Sequence, residues 1–105
     1  MAIETSQLTV AQLEVLVVPP GESYAITNIL VCNNSTSIEA FFDMYIVKSG
    51  DVVNSAVNRV VHSMCVPETD TFTFDTERIV LREGDKLVFT ATTTDLSALV
   101  SYLEV

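Results

Sequence analysis

Apolar residues in this chain recur at every second position rather than every third or fourth. Tyr24, Ile26, Leu30 and Cys32 fall on one side of an extended run, with Asn28 as the exception, and Ala25, Thr27, Ile29 and Val31 fall on the other. Successive side chains of a strand point to opposite faces, so this spacing fits strands and not an amphipathic helix. The runs are crowded with Val, Ile, Thr, Phe and Tyr, residues whose shapes suit a pleated, half-buried surface.

Turn-forming residues separate the runs. Pro19-Pro20-Gly21 closes the first, and Asn33-Asn34-Ser35-Thr36-Ser37 makes a polar turn. Lys48-Ser49-Gly50-Asp51 opens a longer loop that reaches about Asn58, the one stretch where a short helical turn fits. Pro67 to Asp70, Glu83-Gly84-Asp85 and Thr93 to Ser97 mark the later reversals, with Gly84 supplying a positive φ. The strands predicted between these marks are 7–17 (divisible near Ala11), 23–32, 39–47, 59–66, 71–75, 78–82, 86–92 and 98–104.

Seven to eight short strands with this punctuation predict an all-β fold, an antiparallel β-sandwich of jelly-roll-like type. At 105 residues the chain makes one domain, residues 1–105. Its interior should hold Phe72, Phe74, Leu87 and Phe89, each pair spaced by two on its strand. Residues 1–14 are mixed in character and read either as a first edge strand or as an N-terminal arm lying on a neighbour. The run Phe41 to Val47 is apolar on both faces, with Asp43 its one internal charge. A simple sandwich strand alternates more cleanly, so this run predicts cover from another subunit.

Charge narrows the partners. The net charge is −9, and the only basic residues are Lys48, Arg59, Arg78, Arg82 and Lys86. Scattered cations cannot displace counterions from a phosphate backbone, so nucleic acid is not an expected partner. The same sign disfavours an anionic membrane surface, and no apolar run is long enough to cross a bilayer. Met1 to Thr5 has no basic stretch followed by an apolar one, which predicts synthesis in a cytoplasm. Excess negative charge suits docking on a basic protein surface.

Reactive constellations are absent from the sequence pattern, and no catalytic, cofactor-binding or metal-ligating residue is assigned. No GxGxxG, P-loop, HExxH or GxSxG motif occurs. His62 lies inside a predicted strand, Val60-Val61-His62-Ser63-Met64, with no orienting acid in that run to make it a general base. Glu68, Asp70, Asp75 and Glu77 offer oxygens of the kind calcium takes, but they flank a strand and no glycine bends the chain between them. They read as a solvated acidic rim, with Asp75 and Glu77 capping a turn. Cys32 and Cys65 read as two small buried thiols or as one disulfide.

One ordered set of residues goes further. The run from Pro19 to Asn33, containing Ile26-Thr27-Asn28-Ile29-Leu30-Val31-Cys32-Asn33, resembles the opening strands of small virion proteins of tailed bacteriophages. The resemblance continues through Phe42 to Lys48, Asn58-Arg59, Val66-Pro67, Asp70 to Phe74, Leu81 to Lys86 and Ser101 to Glu104, nearly the whole chain after about residue 15. Within this pattern Asn28 is expected to bond across to a neighbouring loop. The resemblance implies a non-catalytic structural subunit, a capsid decoration or cement protein, located in the virion. Its implied partners are the major capsid protein or tail proteins and further copies of itself, a trimer by analogy. A tail, baseplate or fibre component is the near alternative, and a carbohydrate- or receptor-binding module is the rival class.

Overall fold

The computed structural model describes residues 2–54, 56–74 and 79–105, with Ala2 and Phe74 described by their backbone. Among these, the strands in chain order are β1 (Ala2–Gln7), β2 (Leu13–Val17), β3 (Tyr24–Asn33), β4 (Ala40–Val47), β5 (Arg59–Val66), β6 (Thr71–Phe74), β7 (Ile79–Leu81), β8 (Lys86–Ala91) and β9 (Leu96–Glu104). A front sheet runs β1-β9-β3, with β6 and β7 both paired to the far side of β3. A back sheet runs β2-β8-β4-β5. Every pairing is antiparallel.

Phe74 pairs with Ile29 and Ile79 with Ile26, so β6 and β7 continue one line along β3. Taken as one interrupted strand, they leave four strands in each sheet. The chain changes sheet at every connection except the β4–β5 hairpin and the β6–β7 interval. That is a jelly roll, as the alternation and turn spacing predict.

Two features settle what the sequence left open, the break near Ala11 and the N-terminal residues, and a third departs from the predicted elements. The strand predicted at 7–17 is two strands, because the chain crosses from the front sheet to the back sheet between Leu8 and Gln12. Leu8 is fully buried at the crossing, and its N–H donates to the Leu96 carbonyl at 2.8 Å. Of the two readings of the N-terminal residues, 2–7 form the edge strand, in register with β9 from Ala2↔Tyr102 to Gln7↔Ser97. Third, the alternation along β3 is broken. Ile26 faces Tyr102 and Asn28 faces Ser101, so Thr27 is an extra residue in a β-bulge. The bulge reverses the phase: Tyr24 and Ile26 point inward before it, Ile29, Val31 and Asn33 after it. Leu30 and Cys32, predicted to share a face with Tyr24, therefore point outward.

The interior lies between the sheets. Leu87 and Phe89 are fully buried, and the Phe42 ring lies 5.6 Å from Phe72 and 6.0 Å from Phe89. Phe72, Leu87 and Phe89 thus share the predicted core, while the side chain of Phe74 is outside the described residues. Asn33 is 1% exposed, and its amide ties down the turn after β3. It donates to the Ile38 and Val66 carbonyls at 3.0 and 2.9 Å and accepts from Ser35 N–H at 2.9 Å. At the other pole, Asp85 accepts from Ser49 N–H at 3.0 Å and Arg82 N–H at 2.9 Å.

Candidate functional site

Each sheet presents an outer face, and the two differ. On the back sheet, Phe41, Asp43, Tyr45 and Val47 point outward from β4. Tyr45, Val47 and Val88 form a second buried cluster, with Val53 packed against it. The chain's own loop, residues 48–58, thus covers half of the strand for which another subunit's cover was expected. That loop is pinned by Asn58, which accepts from Asn54 N–H and donates to the Val52 carbonyl, both at 2.9 Å. Val57 and Asn58 N–H both donate to the Asn54 carbonyl, closing the single turn predicted there. Phe41 stays half-buried at the strand's uncovered end, beside exposed Val10 in a shallow groove.

Next to it, Asp43 gathers polar groups. Met64 pairs with Phe42 and Val61 with Met44, so His62 and Ser63 together face Asp43 in a second bulge. Ser63 takes a φ of 49° and donates its N–H to Asp43 Oδ1 at 2.6 Å. His62 Nδ1 lies 3.6 Å from the same oxygen, and Arg59 Nη1 lies 3.9 Å from Oδ2. Sequence reasoning found no acid beside His62 because this partner comes from the neighbouring strand. Both oxygens of the carboxylate are engaged in holding the bulge, which is a structural clamp on an edge strand.

A carboxyl pair sits at one pole. Glu104 at the end of β9 bonds to Glu22, and this neighbour lifts its carboxyl above the ordinary range, because two adjacent carboxyls hold one proton more readily than two charges. Tyr24 OH donates to Glu22 at 3.2 Å, and the Tyr24 and Tyr102 rings stack with centroids 4.4 Å apart.

The front sheet's outer face has a different chemistry. Reading across the strands, one row is Thr5, Leu99, Leu30 and Thr73, and the next is Gln7, Ser97, Cys32 and Thr71. Towards the carboxyl pair, Leu103, Ala25 and Val80 form another row. Between them stand Ile3, Ser101 and the bulge, where Thr27 Oγ1 and Ser101 Oγ lie 2.9 Å apart. None of the outward side chains of the described strand residues in this sheet is charged. Ile3, Val80 and Leu103 are 59%, 54% and 41% exposed. Asn28 Oδ1 is buried with no hydrogen-bond partner among the described residues. Its expected loop bond would fall opposite the interval between β6 and β7, which is outside them.

The remaining residues singled out from sequence are dispersed. Glu68 and Asp70 are exposed in the β5–β6 turn, where Asp70 Oδ1 accepts from Thr71 N–H at 2.8 Å; Asp75 and Glu77 are outside the described residues. Among the described basic residues, Lys86 pairs with Glu14 at 2.9 Å, and Lys48 and Arg82 are exposed; Arg78 is not described. Both cysteines are free and half-buried rather than buried. Cys32 lies on the outer face of the front sheet, while Cys65 lies on that of the back sheet and donates to Glu39 at 3.4 Å. Burial and the Glu39 carboxylate push the Cys65 thiol above its ordinary pKa. Compared with protein-family models, curated proteins and solved structures, the chain matches none.

Proposed function

We propose that this chain is a non-catalytic structural subunit of a tailed-bacteriophage virion, one that decorates or cements the capsid through protein–protein interfaces. The observation that carries the reading is the division of its described surface: the chain has a net charge of −9, while the outward side chains of the described front-sheet strand residues are all uncharged. A surface of this kind supports two contacts, an acidic one toward a basic capsid protein and a neutral one elsewhere. The ordered sequence resemblance to small phage virion proteins supplies the partner, and the jelly-roll topology agrees with it by analogy, since that fold recurs in viral capsid domains. On this reading function is burial and charge complementarity, repeated over many copies, and needs no cofactor.

The test is to mix the purified chain with capsids and with separated tails from the phage that encodes it. Co-sedimentation with capsids, weakening as salt is raised, is the expected result. Binding to tails alone moves the subunit to the tail, baseplate or fibre. Indifference to both, together with tight binding of a sugar, overturns the reading in favour of a receptor-binding module.

A further inference from the structure

We infer that the free edge of β1 takes an extended basic segment of a protein partner as one more strand of the front sheet. The backbone prepares the site. Leu8 N–H donates to the Leu96 carbonyl at 2.8 Å, which continues the β1–β9 register one step past Gln7↔Ser97. In an antiparallel pair the N–H and C=O of one residue point to the same side, and successive residues alternate. The even-numbered residues of β1 therefore bond to β9, while Ile3, Thr5 and Gln7 turn both backbone groups to the open side. The register holds without a shift from Ala2 to Gln7, so this row is unbroken. The other edges are less suited to pairing. β5 shifts register on both sides of Met44, and Asp43 already takes the Ser63 N–H. β2 shifts between Glu14 and Leu16, and the line of β6 and β7 runs through residues outside those described.

Charge selects the occupant. Glu4 is the one charged residue of β1, and it is exposed. Burial, then Glu4 and Glu22, push the Tyr102 phenol above its ordinary pKa, so both carboxylates lie about that ring, and Glu104 bonds to Glu22. No ion pair among the described residues involves any of these acids; Lys86 holds Glu14, and Arg59 and His62 hold Asp43. A second copy would bring the same carboxylates and a further net charge of −9, whereas a cation beside Glu4 meets uncompensated charge. The two sides of β1 also differ. Glu4 lies level with inward Val100, while exposed Ile3 and Thr5 lie level with Ser101 and Leu99 on the outer face. A matching strand carries Lys or Arg at every second position, alongside Glu4, and Val, Ile or Thr between them, alongside Ile3 and Thr5. The inference rests on the proposed function for the source of this segment, an arm of a capsid or tail protein, and not for the pairing itself.

The test is backbone amide exchange by NMR on the full chain, saturated with a capped peptide of alternating Lys and Val as long as β1. Exchange should slow at Ile3, Thr5 and Gln7 and change little at Glu4 and Ser6, which already bond to β9. Binding should weaken with salt, and a peptide of alternating Glu and Val should bind about tenfold or more weakly. Thr5→Pro deletes an N–H on the open side, where an edge strand accepts proline, and should cut affinity about tenfold or more, while Thr5→Ala should keep it. Circular dichroism checks that Thr5→Pro is folded, and the wild-type amide pattern decides the matter if it is not. Slowing at β2 or β5 instead, equal affinity for the Glu peptide, or a folded Thr5→Pro that binds like wild type overturns the inference. So does slowing of the same amides as the chain alone is concentrated, which would seat a second copy on the edge. A chain that pairs with the Lys peptide and ignores every phage particle defeats the virion reading alone. One that binds capsids while the peptide leaves Ile3, Thr5 and Gln7 exchanging freely defeats this inference alone.

Discussion

Gly84 shows how much one residue decides. It turns with φ +81°, and a Cβ there would collide with the Ser49 side chain, so both backbone and space demand glycine. Gly84→Ala should cost about 1–3 kcal/mol in urea unfolding, the usual cost of a strained φ. The hairpin glycine was legible in sequence; the Ser49 contact, which joins two distant loops, was not. Glu104 gives a pH signature. Its raised carboxyl means that the folded protein binds this proton more tightly than the unfolded chain does. The contribution is complete below the unfolded value and is lost as pH rises through the higher folded one. Glu104→Gln should therefore raise the melting temperature at pH 7 and leave it nearly unchanged at mildly acid pH. Cys65 is held as a thiol by burial and Glu39, so iodoacetamide should alkylate it at neutral pH more slowly than a free cysteine peptide.

At the scale of elements, the alternation of apolar residues revealed the strands whose two sides differ in environment. It left β1 open between an edge strand and an arm, because Ile3-Glu4-Thr5-Ser6-Gln7 lies on an exposed edge where nothing selects for alternation. It gave β3 the wrong phase beyond Thr27, because a bulge leaves no mark in composition and shifts every later side chain to the other face. It read β4 as needing a partner because the loop that directly follows the strand is mostly polar and gives no sign in sequence that Val53 packs back on Tyr45 and Val47. Two substitutions separate the two cores. Phe89→Ala empties the centre of the sandwich and should cost about 3–5 kcal/mol. Val53→Asp should cost less, about 1–3 kcal/mol, and should speed amide exchange in the 48–58 loop while sparing β3 and β9. Equal exchange throughout the chain would mean that the loop is not a separate layer.

For the molecule as a whole, the sandwich separates its chemistries by face and by pole, a division invisible in sequence until the bulges set which residues point out. The two thiols stand on opposite outer faces with the entire core between them, so reductant should leave the melting temperature unchanged. The same topology has a kinetic consequence. β9, late in chain order, is not an edge: it lies between β1 and β3 and aligns Ala2 with Tyr102. Among the described strands, only the β4–β5 hairpin joins neighbours of one sheet without crossing the sandwich. A nascent chain can zip that hairpin early, but its front sheet lacks a central member until β9 has been synthesised. Refolding should accordingly take about milliseconds to seconds, the range of chains dominated by distant pairings. A ribosome-bound chain stopped before β9 leaves β3 with an unpaired edge, so neighbouring nascent chains on one messenger can pair through it until synthesis of the sheet is complete.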